Sequence, residues 1–328
     1  MSKNAAKKSK KDGRLMPVPG KTYRLVTRSD MDGLVCGVLL KELGVIDDIM
    51  FAHPKDMQDG LIEIGPTDIT TNLPYHSDAF LSFDHHASEA LRIKDDPENH
   101  VIDPRAPSAA RVVYEYFGGE ETFTTISEEM MKAVDKADSA AFSKNDILHP
   151  SGWDLLSFIM DARTGLGRFR DFNISNYQLM MKLIDFCRTH SDIRDILKLP
   201  DVKERVDLYF EQEGKCREQI ERCGELHGKL VVLDMRHEDT IWAGNRFMVY
   251  AVFPKSAVSL HVLWGKNKQN TVFAAGKSIL NRTSKVKIGE LMLKYGGGGH
   301  DAAGTCQIEN LKSEQTLNEL IESLGKEG

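Results

Sequence analysis

From Tyr23 onward, apolar and polar positions alternate between two textures. Short apolar runs at 23–27, 48–52 and 79–83 have the length of strands, and Leu34, Val38 and Leu39 recur at helical spacing over 33–43. Helical patterns follow at 108–116, just after Pro107, and at 126–138, where Thr125 and Glu128 have the spacing of a capping box. Two more are predicted at 153–162 and 177–190. Strands alternating with helices imply an α/β fold, a parallel sheet covered on both faces.

The texture then changes. Residues 201–223 are charged and helical in character, with no Gly or Pro before Gly214. After Gly228, strand runs come at 230–233, 247–253, 258–263 and 271–274. A helix over 288–294, a glycine run, a strand over 304–308 and a helix from Ser313 complete a smaller α+β region. The pattern therefore predicts a disordered basic tail over 1–20 and a first domain over 21–200. A helical connector over 201–227 and a second domain over 228–328 complete the division.

Charge narrows the function. Lys and Arg number 43 against 49 Asp and Glu, a net charge of −6, which argues against a protein that coats duplex nucleic acid. Any nucleic-acid contact is expected to be local and to involve short single strands. No run reaches the length of a membrane span. The first residues carry Lys3, Lys7, Lys8, Lys10, Lys11 and Arg14 with no apolar stretch behind them, which predicts a solvated tail and no secretory signal. The five cysteines are scattered without a Cys-x-x-Cys, as expected of reduced thiols in a cytoplasmic protein.

The chemistry-bearing residues gather at predicted strand ends. Asp30-Met31-Asp32-Gly33 follows the first strand and Asp84-His85-His86 the third, where open α/β sheets place ligands. Carboxylate oxygen with imidazole nitrogen suits Mn²⁺, Zn²⁺ or Fe²⁺ better than an all-oxygen Mg²⁺ cage. Asp30 is equally placed to cap the helix that follows it. Adjacent histidines at a strand end face opposite ways, so one can ligate a metal while the other reaches a phosphoryl oxygen. Asp135 and Asp138 fall near a helix C-terminus, where acids are disfavoured unless a cation offsets them; Asp138, among small residues, is the more buried candidate. Far downstream, Gly296-Gly297-Gly298-Gly299-His300 has the form of an anion nest, with His300 as an added donor. Ser278, Arg282 and Lys285 are phosphate-binding candidates in the same region, and Asn245-Arg246 is another. His149, His190 and His261 have no acid or histidine at ligand spacing and read as structural.

With these motifs in order, the chain resembles the DHH phosphoesterase superfamily with its appended DHHA1 domain, over about residues 21–310. Asp84-His85-His86 matches the name motif, Asp30-Met31-Asp32-Gly33 the first motif and Gly-Gly-Gly-Gly-His the DHHA1 hallmark. The exopolyphosphatase-related and nano-RNase-like branch is the most similar. The resemblance implies a parallel-sheet DHH domain holding Mn²⁺ and a smaller DHHA1 domain presenting the substrate. It places Asp30 on one metal and Asp32, His85 and Asp138 on another, with His86 near the phosphoryl group. Asp84, His86 and Arg28 are thus the catalytic candidates, Arg28 as a cation for the developing charge, and Gly297, Gly298, Gly299, His300, Arg282 and Ser278 the substrate-binding candidates.

Two positions depart from that pattern. Arg28 stands where a metal-binding side chain is often found, and the bridging acid aligns with Asn72, with Asp68 as the fallback. One firmly bound Mn²⁺ and a second that is weak or recruited with substrate are therefore expected. The implied function is a metal-dependent phosphohydrolase of short phosphorylated substrates: short oligonucleotides, pAp-type or cyclic dinucleotides, or polyphosphate. The alternative is a non-catalytic nucleotide or oligophosphate binder with a decayed metal site. A homodimer is compatible with either.

Overall fold

The computed structural model describes residues 9–11, 13–93, 95–169 and 171–327. They form two compact units. The first comprises Met1–Ala141, Gly152–Asp161 and Asp171–Glu204, and the second Phe142–Ser151, Ala162–Arg170 and Arg205–Gly328. This division follows packing, not chain order: residues 142–151, 162–170 and 205–227 fall in the second unit, ahead of the sequence-drawn start at 228.

In the first unit the chain runs β1 (Ser9–Lys11), β2 (Arg14–Met16), β3 (Tyr23–Thr27), α1 (Met31–Glu42), β4 (Ile46–Phe51), α2 (Pro54–Gln58), β5 (Asp68–Thr71), β6 (Leu81–Asp84), α3 (Ala87–Arg92), β7 (His100–Ile102), α4 (Ala109–Tyr116) and α5 (Glu128–Asp138). After α6 (Lys144–Leu148) of the second unit, α7 (Gly152–Met160), α8 (Asn176–Cys187) and α9 (Ile193–Leu197) complete it. Five strands form a parallel sheet in the order β4-β3-β5-β6-β7. Helix α1 is buried continuously from Met31 to Leu40, with α4, α5 and α8 packed around it. A helix apolar on all sides belongs inside, and this one fixes the strand-end residues that flank it.

Two expectations change here. Residues 1–8 and 12 of the expected tail lie outside the described residues, but the rest of it is ordered. β1 and β2 pair as a hairpin, and Leu15 is buried because the Tyr116 hydroxyl donates to its carbonyl (2.6 Å) while Arg14 donates to the Tyr116 carbonyl (3.0 Å). The N-cap of α5 is Ser127, not Thr125; the Thr125 hydroxyl donates instead to Glu42 (2.7 Å).

The second unit continues through α10 (Pro200–Cys223), a helix that begins in the first unit, then β8 (Gly224–His227), β9 (Leu230–Asp234), α11 (Met248–Val252), β10 (Val258–Trp264), β11 (Thr271–Lys277), α12 (Ile288–Leu293), β12 (Gly298–His300), β13 (Ala303–Ile308) and α13 (Ser313–Glu327). Its six strands follow the order β12-β13-β11-β10-β9-β8, antiparallel except for β9 beside β10. Ile288, Leu291 and Met292 of α12 and Leu317, Leu320 and Leu324 of α13 pack onto one face of this sheet. Residues 247–253, expected as a strand, contain α11. The run is apolar throughout, so periodicity does not separate strand from helix. β10 already has β9 and β11 as neighbours, and Asn245 starts the turn by accepting from the Phe247 amide (3.2 Å).

Candidate metal and phosphate centre

Three adjacent strands of the first unit end side by side. Val26 pairs with Thr70 and Thr71 with Phe83, so the next row reads Arg28 and Asn72, each one position beyond its strand, and Asp84, the last residue of β6. The row is held from beneath: the Thr71 hydroxyl donates to the Thr27 hydroxyl (2.7 Å), and the Asn72 amide donates to the Phe83 carbonyl (3.0 Å).

From β3 the chain turns through Asp30, which caps α1 by accepting from the Gly33 amide (3.1 Å) and pairs with Arg28 Nε (3.1 Å). Gly33 faces the Arg28 carbonyl so closely that a Cβ would overlap it, and only glycine closes this turn. The turn leaves Asp32 in the first turn of α1, 2 % exposed. Its carboxylate accepts from the Ala109 (3.1 Å) and Ala110 (2.7 Å) amides, the N-terminus of α4.

At the end of β6, His85 Nδ1 lies 3.2 Å from the Ala106 carbonyl. A carbonyl oxygen only accepts, so Nδ1 carries a proton and Nε2 is the ring atom left for a metal, as in metal-binding histidines. Nε2 lies 2.7 Å from Asp138 Oδ2, at the last residue of α5. One ligand atom each from Asp32, His85 and Asp138 falls within 4.8 Å of the others. The sequence-predicted triad is brought together.

The electrostatics of this cluster call for a cation. Burial and the neighbouring Asp138 push the Asp32 carboxyl well above its usual range, with His85 opposing them. Burial also acts to raise Asp138, but His85, His86 and Arg28 overcome it and hold that carboxyl down. Burial acts to lower His85, yet Asp138, Asp32 and Asp84 lift it to about 9. A proton on His85 or a divalent ion offsets the paired carboxylates. Asn72 Oδ1 and Nδ2, Asp84 Oδ2 and His85 Nε2 are all buried without an aligned hydrogen-bond partner among the described residues.

Asp84, 1 % exposed, orients His86 by a 2.7 Å contact with its Nδ1. The His86 side chain is 41 % exposed and its ring meets that of His85 edge-on at 4.5 Å. The remaining acids are engaged elsewhere. Asp135 accepts from Ser108 (2.7 Å) and Arg111 (3.0 Å). Asp68, the fallback for the bridging acid, begins β5 at the far end of the strand and pairs with Arg24 at 2.9 and 2.8 Å. Asn72 holds the position at the site.

The glycine run of the second unit is no open loop. Gly298–His300 is an edge strand paired with β13. A Cβ at Gly297 would overlap the Thr305 carbonyl, and one at Gly299, whose φ is +152°, would overlap Ala303 and Gly304. These glycines let backbones pack against each other, whereas Gly298 faces open space and His300 is exposed. The buried Ser278 hydroxyl accepts from the Leu280 (3.2 Å) and Asn281 (3.0 Å) amides, so it shapes a turn and does not face outward. Arg282 is exposed, with Nε donating to the Ile279 carbonyl (3.1 Å). Asn245 is a buried structural residue, donating to the Ile147 carbonyl and the Tyr209 hydroxyl (both 3.0 Å).

Sequence reasoning missed the backbone half of the centre. The Ala106 carbonyl and the Ala109 and Ala110 amides carry no side-chain signal, and the helix start after Pro107 was the one feature that pointed to them.

No protein-family model matches the chain, and no curated protein matches it in sequence. Among solved structures, the pGpG-specific phosphodiesterase PggH from Vibrio cholerae is 57 % identical, covering 94 % of this chain and 100 % of that one, with a TM-score of 0.82. The chain belongs to the DHH phosphoesterase superfamily. CDC45 from Entamoeba histolytica, 9 % identical over 92 % of this chain and 95 % of that one at a TM-score of 0.50, shares the fold.

The first unit is thus the parallel-sheet DHH domain and the second the mixed-sheet DHHA1 domain. As a DHH protein the chain is a phosphohydrolase of small phosphorylated substrates, and Asp32, His85 and Asp138 form its candidate divalent-metal site. No helix among the described residues is long and apolar enough to cross a membrane.

Proposed function

We propose that this DHH protein hydrolyses short linear nucleotides of the pGpG type at a single Mn²⁺ held by Asp32, His85 and Asp138. The observation that carries the reading is the convergence of those three ligand atoms within 4.8 Å, with His85 Nδ1 held by the Ala106 carbonyl so that Nε2 is the ring atom facing the two carboxylates. Mixed oxygen and nitrogen donors favour Mn²⁺ over Mg²⁺. The ion, when bound, supplies Lewis acidity and lowers the pKa of coordinated water. The substrate class follows from the similarity to the pGpG-specific enzyme.

The chain's own groups supply the rest. His86, steered by buried Asp84, is a proton donor or acceptor at the phosphoryl group. Arg28 is a fixed cation beside it, and it already neutralises Asp30 (3.1 Å), the carboxylate that a second ion would need. The intact triad favours an enzyme over a binding protein with a decayed centre. In the DHHA1 domain, the open face at Gly298, with His300 and Arg282, is the candidate surface for a further phosphate. The five cysteines are all free thiols, in keeping with a cytoplasmic protein.

The test is a Mn²⁺-supplemented panel of pGpG, pAp, short RNA and polyphosphate, run beside Asp32→Ala. Preferential turnover of pGpG, abolished by the substitution, is the expected result. Turnover that survives Asp32→Ala refutes the site.

A further inference from the structure

Asn72 is the uncharged member of the row Arg28, Asn72, Asp84, and it is 1 % exposed. Its backbone is left-handed, with φ at 54°, a conformation that asparagine tolerates better than most residues. Both atoms of its buried amide lack a partner. Oxygen and nitrogen exchange places when the amide turns over, so either orientation leaves one donor and one acceptor open. Buried polar groups are seldom left so, and one that is calls for a group from outside the chain.

The chemistry around Asn72 says which group. Beside it in the row, Asp84 is an acceptor, and the Asp32, His85 and Asp138 group is a set of cation ligands complete without Asn72. A phosphate brings oxygens, which need donors. A cation set against Asn72 would use only the amide oxygen and leave the buried NH₂ still without an acceptor. A phosphoryl oxygen meets that NH₂ directly, and the bond strengthens as negative charge builds on phosphorus-bound oxygen.

We propose that Asn72 is a catalytic residue whose Nδ2–H donates to a non-bridging oxygen of the scissile phosphate, a role that rests on the phosphohydrolase reading above. It would act as a donor and not as a metal ligand, the part that the sequence resemblance had given to this position.

Two substitutions suit the left-handed backbone. Asn72→Asp keeps the shape and removes the donor; Asn72→Gly removes the side chain. Each is loaded with Mn²⁺, checked by thermal melting, analysed for metal content and assayed on pGpG. The expected result is one ion per chain in both variants, as in the wild type, with kcat down about 10²–10³-fold. Loss of metal in Asn72→Gly would make Asn72 a ligand and overturn the proposal. So would wild-type kcat in either variant at full metal occupancy.

If the wild type leaves pGpG intact, the activity reading fails, and this inference is decided by equilibrium binding of inorganic phosphate to the Mn²⁺-loaded proteins. Asn72→Gly should weaken that binding about tenfold. Unchanged phosphate affinity would overturn it.

Discussion

His85 Nε2 stands 2.7 Å from Asp138 Oδ2, yet its hydrogen-bonding side is turned to the Ala106 carbonyl through Nδ1. A proton or a metal ion must lie between a ring nitrogen and a carboxylate oxygen so close, and Asp32 adds a third ligand atom within 4.8 Å. His85→Ala should therefore lose the metal. Elemental analysis of Mn²⁺-reconstituted protein is the check; full occupancy in the variant would move the ligand set elsewhere.

The number of ions follows from Asp30. Its carboxylate is engaged by Arg28 and by the Gly33 amide, and Asn72 adds no charge. Two unit charges about 4 Å apart interact by on the order of 4 kcal/mol at an effective dielectric near 20, so Arg28 repels a second cation. The wild type should bind one ion firmly. Asn72→Asp combined with Arg28→His should raise the stoichiometry toward two. A wild-type crystal grown with Mn²⁺ alone and showing two full ions would reverse this prediction.

The glycines of β12 should differ sharply. Gly299→Val places a branched side chain at φ +152° and into Ala303 and Gly304. That should cost on the order of 2–4 kcal/mol, seen as a lower melting temperature. Gly298→Val meets open space and should melt like the wild type while weakening pGpG binding. Equal melting of the two variants would show that packing does not set the run.

Gly33→Ala tests the first turn of α1. The added methyl would overlap the Arg28 carbonyl, so the segment carrying Asp30 and Asp32 must shift. Metal affinity should drop at least tenfold although no ligand is altered. Titration with Mn²⁺ measures it, and wild-type affinity would mean that the turn relaxes without moving Asp32.

Much of this was legible from side-chain pattern. The strand at Tyr23–Thr27 and the helix at α4 stand close to where periodicity put them. The acids and histidines stood out by their chemistry, and the resemblance to the DHH superfamily grouped Asp32, His85 and Asp138 as ligands of one metal. β5, in contrast, is Asp-Ile-Thr-Thr, polar in sequence yet wholly buried. Its Thr70 hydroxyl donates to Ser82 and its Thr71 hydroxyl to Thr27, partners that a linear pattern does not reveal. The glycine run misled for a related reason: Gly297 and Gly299 answer to backbone lying across from them in β13. Residues 247–253 were ambiguous because an all-apolar run has no period to read.

Arg28 beside Asp30 has a consequence for how such a centre is switched on. A guanidinium is covalently part of the chain, so no chelator removes it and no competing ion displaces it. Activation by Mn²⁺ should then trace a simple hyperbola with a Hill coefficient of one. The enzyme would answer in linear proportion when the ion is scarce, where a two-ion centre would fall silent with the square of its concentration.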